Sequence, residues 1–130
     1  MIKTKIINEV LGMPKEHVEN TLKLLIDNMR QNKNLKFISE SVFEATQLGD
    51  KPLYSSFAEL EIEFKVLEDL IGFCFDYMPS SIEILEPEEL KIEANSISEL
   101  FNELMAKLHQ NDMMLKNALA ELSLLKREKK

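Results

Sequence analysis

FAELEIEF, residues 57–64, alternates apolar and acidic side chains almost without a break. Ala58, Leu60, Ile62 and Phe64 fall on one side of an extended chain, and Glu59, Glu61 and Glu63 on the other. A period of two over eight residues marks a strand buried on one face only. Such a strand needs neighbours to pair with, an apolar layer to cover one face, and water on the other. A chain containing it is committed to a layered fold with an antiparallel sheet.

The surrounding sequence supplies the other parts. Residues 2–10 alternate more weakly, with Ile2, Thr4 and Ile6 against Lys3, Lys5 and Ile7, and read as a first strand. Gly12-Met13-Pro14 interrupts it, and Pro14 suits the first position of a helix. Val18, Leu22, Leu25, Ile26 and Met29 then recur at helical spacing. Glu16 and Glu19 stand near the start of this helix and Arg30 and Lys33 near its end, the polarity its dipole favours. Leu35 to Ala45 reads as a second strand, with Leu35 and Phe37 on one face and Lys36 and Glu40 on the other. Gln47 to Pro52, containing Gly49-Asp50, reads as a loop. After residues 57–64 comes a short helix over 66–78, with Leu67, Leu70, Ile71, Cys74 and Met78 as its inner stripe and Phe73 and Tyr77 on a second face. Pro79 ends it, and residues 81–86 form a further strand.

The order is β-α-β-β-α-β followed by a helix. It predicts an α+β fold, a ferredoxin-like sandwich over residues 1–94 with a long C-terminal helix over 95–130. The charges offer an internal check. In that topology the first strand lies beside the strand at 57–64, so Lys3 and Lys5 would adjoin Glu59, Glu61 and Glu63 on one solvated face, and opposite charges across strands stabilise a sheet.

Ser96-Ile97-Ser98-Glu99 has the form of a capping box with Ser96 as the cap. Neither Gly nor Pro follows, so a helix is predicted from Ile97 to about Lys126. Its apolar residues fall into heptads. Phe101, Leu108, Leu115 and Leu122 occupy one seam position, and Ile97, Leu104, Asn111, Ala118 and Leu125 the other. That pattern reads as a coiled-coil seam. Asn111, its one polar member, has two readings: a residue that sets register or strand number, or one that reaches solvent. Leu100, Met105, Met113, Met114 and Leu119 widen the apolar face. The first half of the helix is therefore expected to pack on its own domain, over Phe73 and Tyr77, while the second half projects or pairs with another subunit.

Composition excludes several classes of function. The net charge of −7 is uneven: residues 57–103 carry thirteen acidic side chains against Lys65 and Lys91, while the remainder is basic overall. Nucleic-acid binding depends on neutralising phosphates with Lys and Arg, and the short basic tail KREKK at 126–130 does not reverse the acidic half. That half reads as solvated surface or as a face for a basic protein partner. The N-terminus lacks the apolar core of a signal peptide, and LIGFCF at 70–75 is too short to span a bilayer. A cytoplasmic protein with no nucleic-acid or membrane partner is expected. One cysteine, Cys74, allows no internal disulfide. Set in an apolar run, it reads as a core residue with a raised pKa rather than a nucleophile. His17 and His109 are far apart in sequence, and Glu59, Glu61 and Glu63 are strung along a strand rather than folded round an ion. No Gly-x-Gly or Gly-Lys-Ser/Thr occurs. No catalytic constellation, metal site or cofactor is predicted.

FAELEIEF, the helix from Val66 to Met78 and SSIEILEPEEL at 80–90 resemble the C-terminal WCX domain of bacterial WYL-type transcriptional regulators. The likeness is strongest at Ile82-Glu83-Ile84-Leu85-Glu86-Pro87-Glu88-Glu89-Leu90. It implies an ACT-like ferredoxin fold in a regulatory, dimer-forming module. The winged helix and WYL barrel of that family are not in this sequence, so DNA-binding regulation is not implied. ACT-like modules often bind small ligands at the first strand–helix loop, here Leu11, Gly12, Met13 and Pro14. The expected function is a non-catalytic interaction or regulatory module. It would dimerise, or dock a helical partner, through Phe101, Leu104, Leu108, Asn111, Leu115 and Leu122, with Phe73 and Tyr77 adjoining. The alternative is a ligand sensor holding a metabolite at the Gly12 loop.

Overall fold

The computed structural model describes residues 1–128. They form two compact units, Met1–Leu90 and a second from Lys91 onward. In chain order the elements are β1 (Ile2–Gly12), α1 (Lys15–Arg30), β2 (Lys36–Val42), β3 (Thr46–Gln47), β4 (Tyr54–Phe64), α2 (Leu67–Tyr77), β5 (Ser81–Glu86) and α3 (Ala94–Glu128). The fold is α+β. The last two lysines of the basic tail lie outside the described residues.

The first unit is an antiparallel sheet in the order β2-β4-β1-β5, with β3 pairing β4. Its centre is the long β1–β4 ladder, running from Ile2 opposite Phe64 to Gly12 opposite Tyr54. That register puts Ile2, Thr4, Ile6 and Asn8 on the same side as Ala58, Leu60, Ile62 and Phe64, and all eight are buried. Val18, Leu22, Ile26 and Met29 of α1, with Leu70 and Phe73 of α2, are buried alongside that face. On the other face Lys3 stands opposite Glu63 and Lys5 opposite Glu61, the arrangement the alternation predicts. The closest ion pair on this face is diagonal, Lys5 Nζ to Glu59 at 2.6 Å.

Five expectations need correction. The inner stripe of α2 is centred on Leu70 and Phe73, not on Met78. Phe73 is 2% exposed and packs edge-on to Phe64, with ring centroids 5.6 Å apart. Tyr77 lies against Phe73, half-buried at the core margin. Met78 is 70% exposed because it caps the helix in the left-handed conformation (φ 45°) that turns the chain towards β5.

On β2, Lys36 and Glu40 do not share a face. The register shifts between Phe37 and Ser39, so one extra residue reverses the alternation. Lys36 faces Glu63 on the open side, whereas Glu40 lies on the helix side and pairs with Arg30 of α1. The Arg30 guanidinium also sits 4.4 Å from the centre of the Phe37 ring.

The last helix begins at Ala94, so Ser96 is inside its first turn and caps nothing. The Glu93 carbonyl accepts the bond from Ile97 N–H at 3.1 Å, and the Ser98 hydroxyl donates back to the Ala94 carbonyl at 3.0 Å. At α1 the shift is one residue: Pro14 precedes the helix, and its carbonyl accepts the first bond, from Val18 N–H.

The segment read as a loop from Gln47 begins inside a two-residue strand, β3. Leu48 N–H donates to the Leu53 carbonyl at 2.8 Å, closing a hairpin whose turn needs Gly49 at φ 57°. Glu19 of α1 anchors the approach by accepting from Ala45 N–H at 3.1 Å.

Candidate interaction surface

Thirty-five residues of α3 run without a break, about 50 Å at the usual rise of an α-helix. None of them is buried. Eleven large apolar side chains on this helix are between 38% and 64% exposed, among them Phe101, Leu104, Leu108, Leu115, Leu122 and Leu125. These six are seam positions of the heptad pattern, so the predicted interface residues lie along one stripe of a continuous helix. Asn111 is in the same stripe and exposed. Met105, Met113, Met114, Leu119 and Leu124 are exposed beside or beyond it. Charged groups border the seam at Lys107, Asp112, Glu121 and Lys126. Asp112 accepts from Lys116 one turn on, at 2.9 Å. Soluble chains rarely leave an apolar stripe of this length open unless something covers it.

Residues 3–127 match the MJ0538 family. The chain belongs to that family. It is 36% identical over 102 residues to a protein of Methanocaldococcus jannaschii described as uncharacterized protein MJ0538. The matched stretch is 77% of this chain and 38% of that relative, so the chain corresponds to well under half of the relative's length. No solved structure matches. The matching family is not the one that residues 82–90 resemble.

The other predicted positions in this MJ0538-family chain are less promising. Phe73 is a core residue and offers no surface to a partner, which removes it from the interface. Leu11, Met13 and Pro14 are exposed, and Gly12 is half-buried. A Cβ at Gly12 would meet Val18 at 3.5 Å, an ordinary contact, so close packing does not explain this glycine. Four successive residues at this turn present no charged or hydroxyl side chain to a ligand.

Cys74 is half-buried, and burial pushes its thiol pKa up, away from the thiolate a nucleophile needs. His17 lies on α1 and His109 on α3, in different units, and both are exposed. Glu59, Glu61 and Glu63 are interleaved with Lys3, Lys5 and Lys36 across the sheet. The Glu59 hydrogen bond and charge hold the Lys5 pKa above its ordinary value. Among the described residues no group of His, Cys, Asp and Glu is arranged to hold a metal ion. No helix among them is long and apolar enough to cross a membrane.

One surface feature escaped the sequence reading. Phe43 and Phe57 stack on the open face of the sheet, centroids 4.5 Å apart, and both are exposed. Phe57 shares the phase of Glu59, Glu61 and Glu63, so the alternation already placed it outside. Phe43 joins it only because the bulge in β2 shifts the register. Phe43 N–H then donates to the Phe57 carbonyl at 3.0 Å.

Proposed function

We propose that this chain is a non-catalytic assembly module, in which a ferredoxin-like α+β unit is joined to others through α3. The order β2-β4-β1-β5, antiparallel at every pairing, supports the ferredoxin-like assignment, since a split βαβ repeat generates that order once the two-residue β3 is set aside. One observation carries the functional reading: 35 helical residues with no buried member and an open heptad seam. A single helix in water is marginally stable and gains most of its stability from packing an apolar face. Fully burying one leucine side chain contributes about 1.5–3 kcal/mol, so closing the seam is a large driving force. The family match reaches residue 127, so this helix is part of the unit that relatives share.

The test replaces Leu108 and Leu115 together by Asp. The unaltered chain is expected to be oligomeric by native mass spectrometry. Leu108→Asp/Leu115→Asp should be monomeric and keep the strand signal of the first unit in circular dichroism. An oligomer that survives both charges would refute the reading. Ligand sensing at Leu11–Pro14 has no observation of its own to favour it.

A further inference from the structure

We propose that α3 pairs with α3 of a second copy of this chain, in parallel and in register. The inference rests on the assembly reading above and adds its partner, direction and alignment. Asn111 is the first observation. In matched antiparallel seams, residues of one seam position meet residues of the other. Asn111 would then face Phe101, Leu108, Leu115 or Leu122, and every one of these is large and apolar. A polar amide closed against such a side chain loses its water and gains no hydrogen bond. Parallel seams instead bring each position against its own kind. Shifted by one heptad, Asn111 would meet Leu104 or Ala118; aligned in register, it meets Asn111 of the second copy. Two amides can donate to and accept from one another. Only one arrangement satisfies the seam.

The flanking residues agree independently. In a parallel pair, the residue before each first seam position approaches the residue five places on in the other helix. Lys107 then approaches Asp112, and Glu121 approaches Lys126, both attractive. Leu100 approaches Met105, and Met114 approaches Leu119, both apolar. No flanking position is mismatched. All of these residues lie on the unbroken helix Ala94–Glu128, and Asp112 uses Oδ2 for Lys116. Its Oδ1 is left to meet Lys107 of the second copy.

The test combines crosslinking with charge reversal in the full chain. In a Cys74→Ser background, Leu104→Cys should form a disulfide-linked dimer on mild oxidation. An equimolar mixture of Leu104→Cys and Leu122→Cys chains should give no excess of the mixed 104–122 product. Lys107→Glu should weaken dimerisation about tenfold at low salt, since it sets two like-charge contacts in each dimer, and Lys107→Glu/Asp112→Lys should recover it. Preferential 104–122 crosslinking in a protein that is still oligomeric would overturn the parallel arrangement and leave assembly standing. A purified wild-type chain that is monomeric at micromolar concentration by native mass spectrometry would overturn both.

Discussion

Met78 shows at single-residue scale where the chain departs from the easiest solution. It closes α2 at φ 45°, a conformation that costs a residue with a Cβ about 1–2 kcal/mol and costs glycine little. Met78→Gly should therefore stabilise the protein, by about 1 kcal/mol in urea titration. Its side chain is exposed, so no packing is lost. Phe73 makes the opposite case. Buried against Phe64, it should cost about 3–5 kcal/mol on replacement by Ala. Phe101→Ala should leave the first unit's unfolding unchanged and weaken association instead, a contrast readable by following both variants with the same denaturant series. Asn8 is less well explained. It is 2% exposed and donates to the Tyr77 carbonyl at 3.2 Å, but its Oδ1 has no partner among the described residues. Cys74 needs no functional account: burial raises its pKa, so iodoacetamide should modify it slowly at pH 8 and fast once the sheet is unfolded.

At the scale of elements, the β1–β4 ladder was legible and the edges of the sheet were not. Strict alternation in residues 57–64 and weaker alternation in 2–10 state which side is apolar, and a slip of one residue would bury the lysines and glutamates. Lys5→Glu should lower the melting temperature by setting a third strand of like charge beside Glu59, Glu61 and Glu83. Lys5→Glu/Glu59→Lys should restore part of the loss. β2 was read with the wrong alternation beyond Phe37, because a bulge leaves no mark on a period unless the strand is long. β3 escaped because two residues carry no period at all. The segment before β3 carries an exposed ion pair: hydrogen bonding to Lys15 holds the Glu44 carboxyl below the usual carboxylate range. A folded pKa below the unfolded one stabilises above the unfolded value and is lost as pH falls through the folded value. Amide exchange at residues 43–47 should therefore rise, relative to the β1–β4 ladder, as the pH is lowered through the carboxylate range.

Over the whole molecule, the chain divides into two compact units. If α3 gains its stability from a second copy, its melting should rise with protein concentration, whereas that of the first unit should not. Circular dichroism melts over a hundredfold range of concentration would separate the two transitions; a helix signal indifferent to dilution would count against pairing. The amino-acid sequence by itself determined the α+β class, the apolar face of each central strand, a helix after Pro14 carrying Val18, Leu22, Ile26 and Met29, and a long terminal helix with a heptad seam. These are periodic features, and periodicity is a local property that survives without knowing what the chain packs against. Tertiary structure alone decided that Phe73 is core and Met78 surface, that Glu40 turns to Arg30, and that Phe43 meets Phe57. The burial of Phe73 depends on which face of α2 meets Phe64; the others depend on a register shift or a left-handed turn, where one residue's backbone conformation redirects the side chains there.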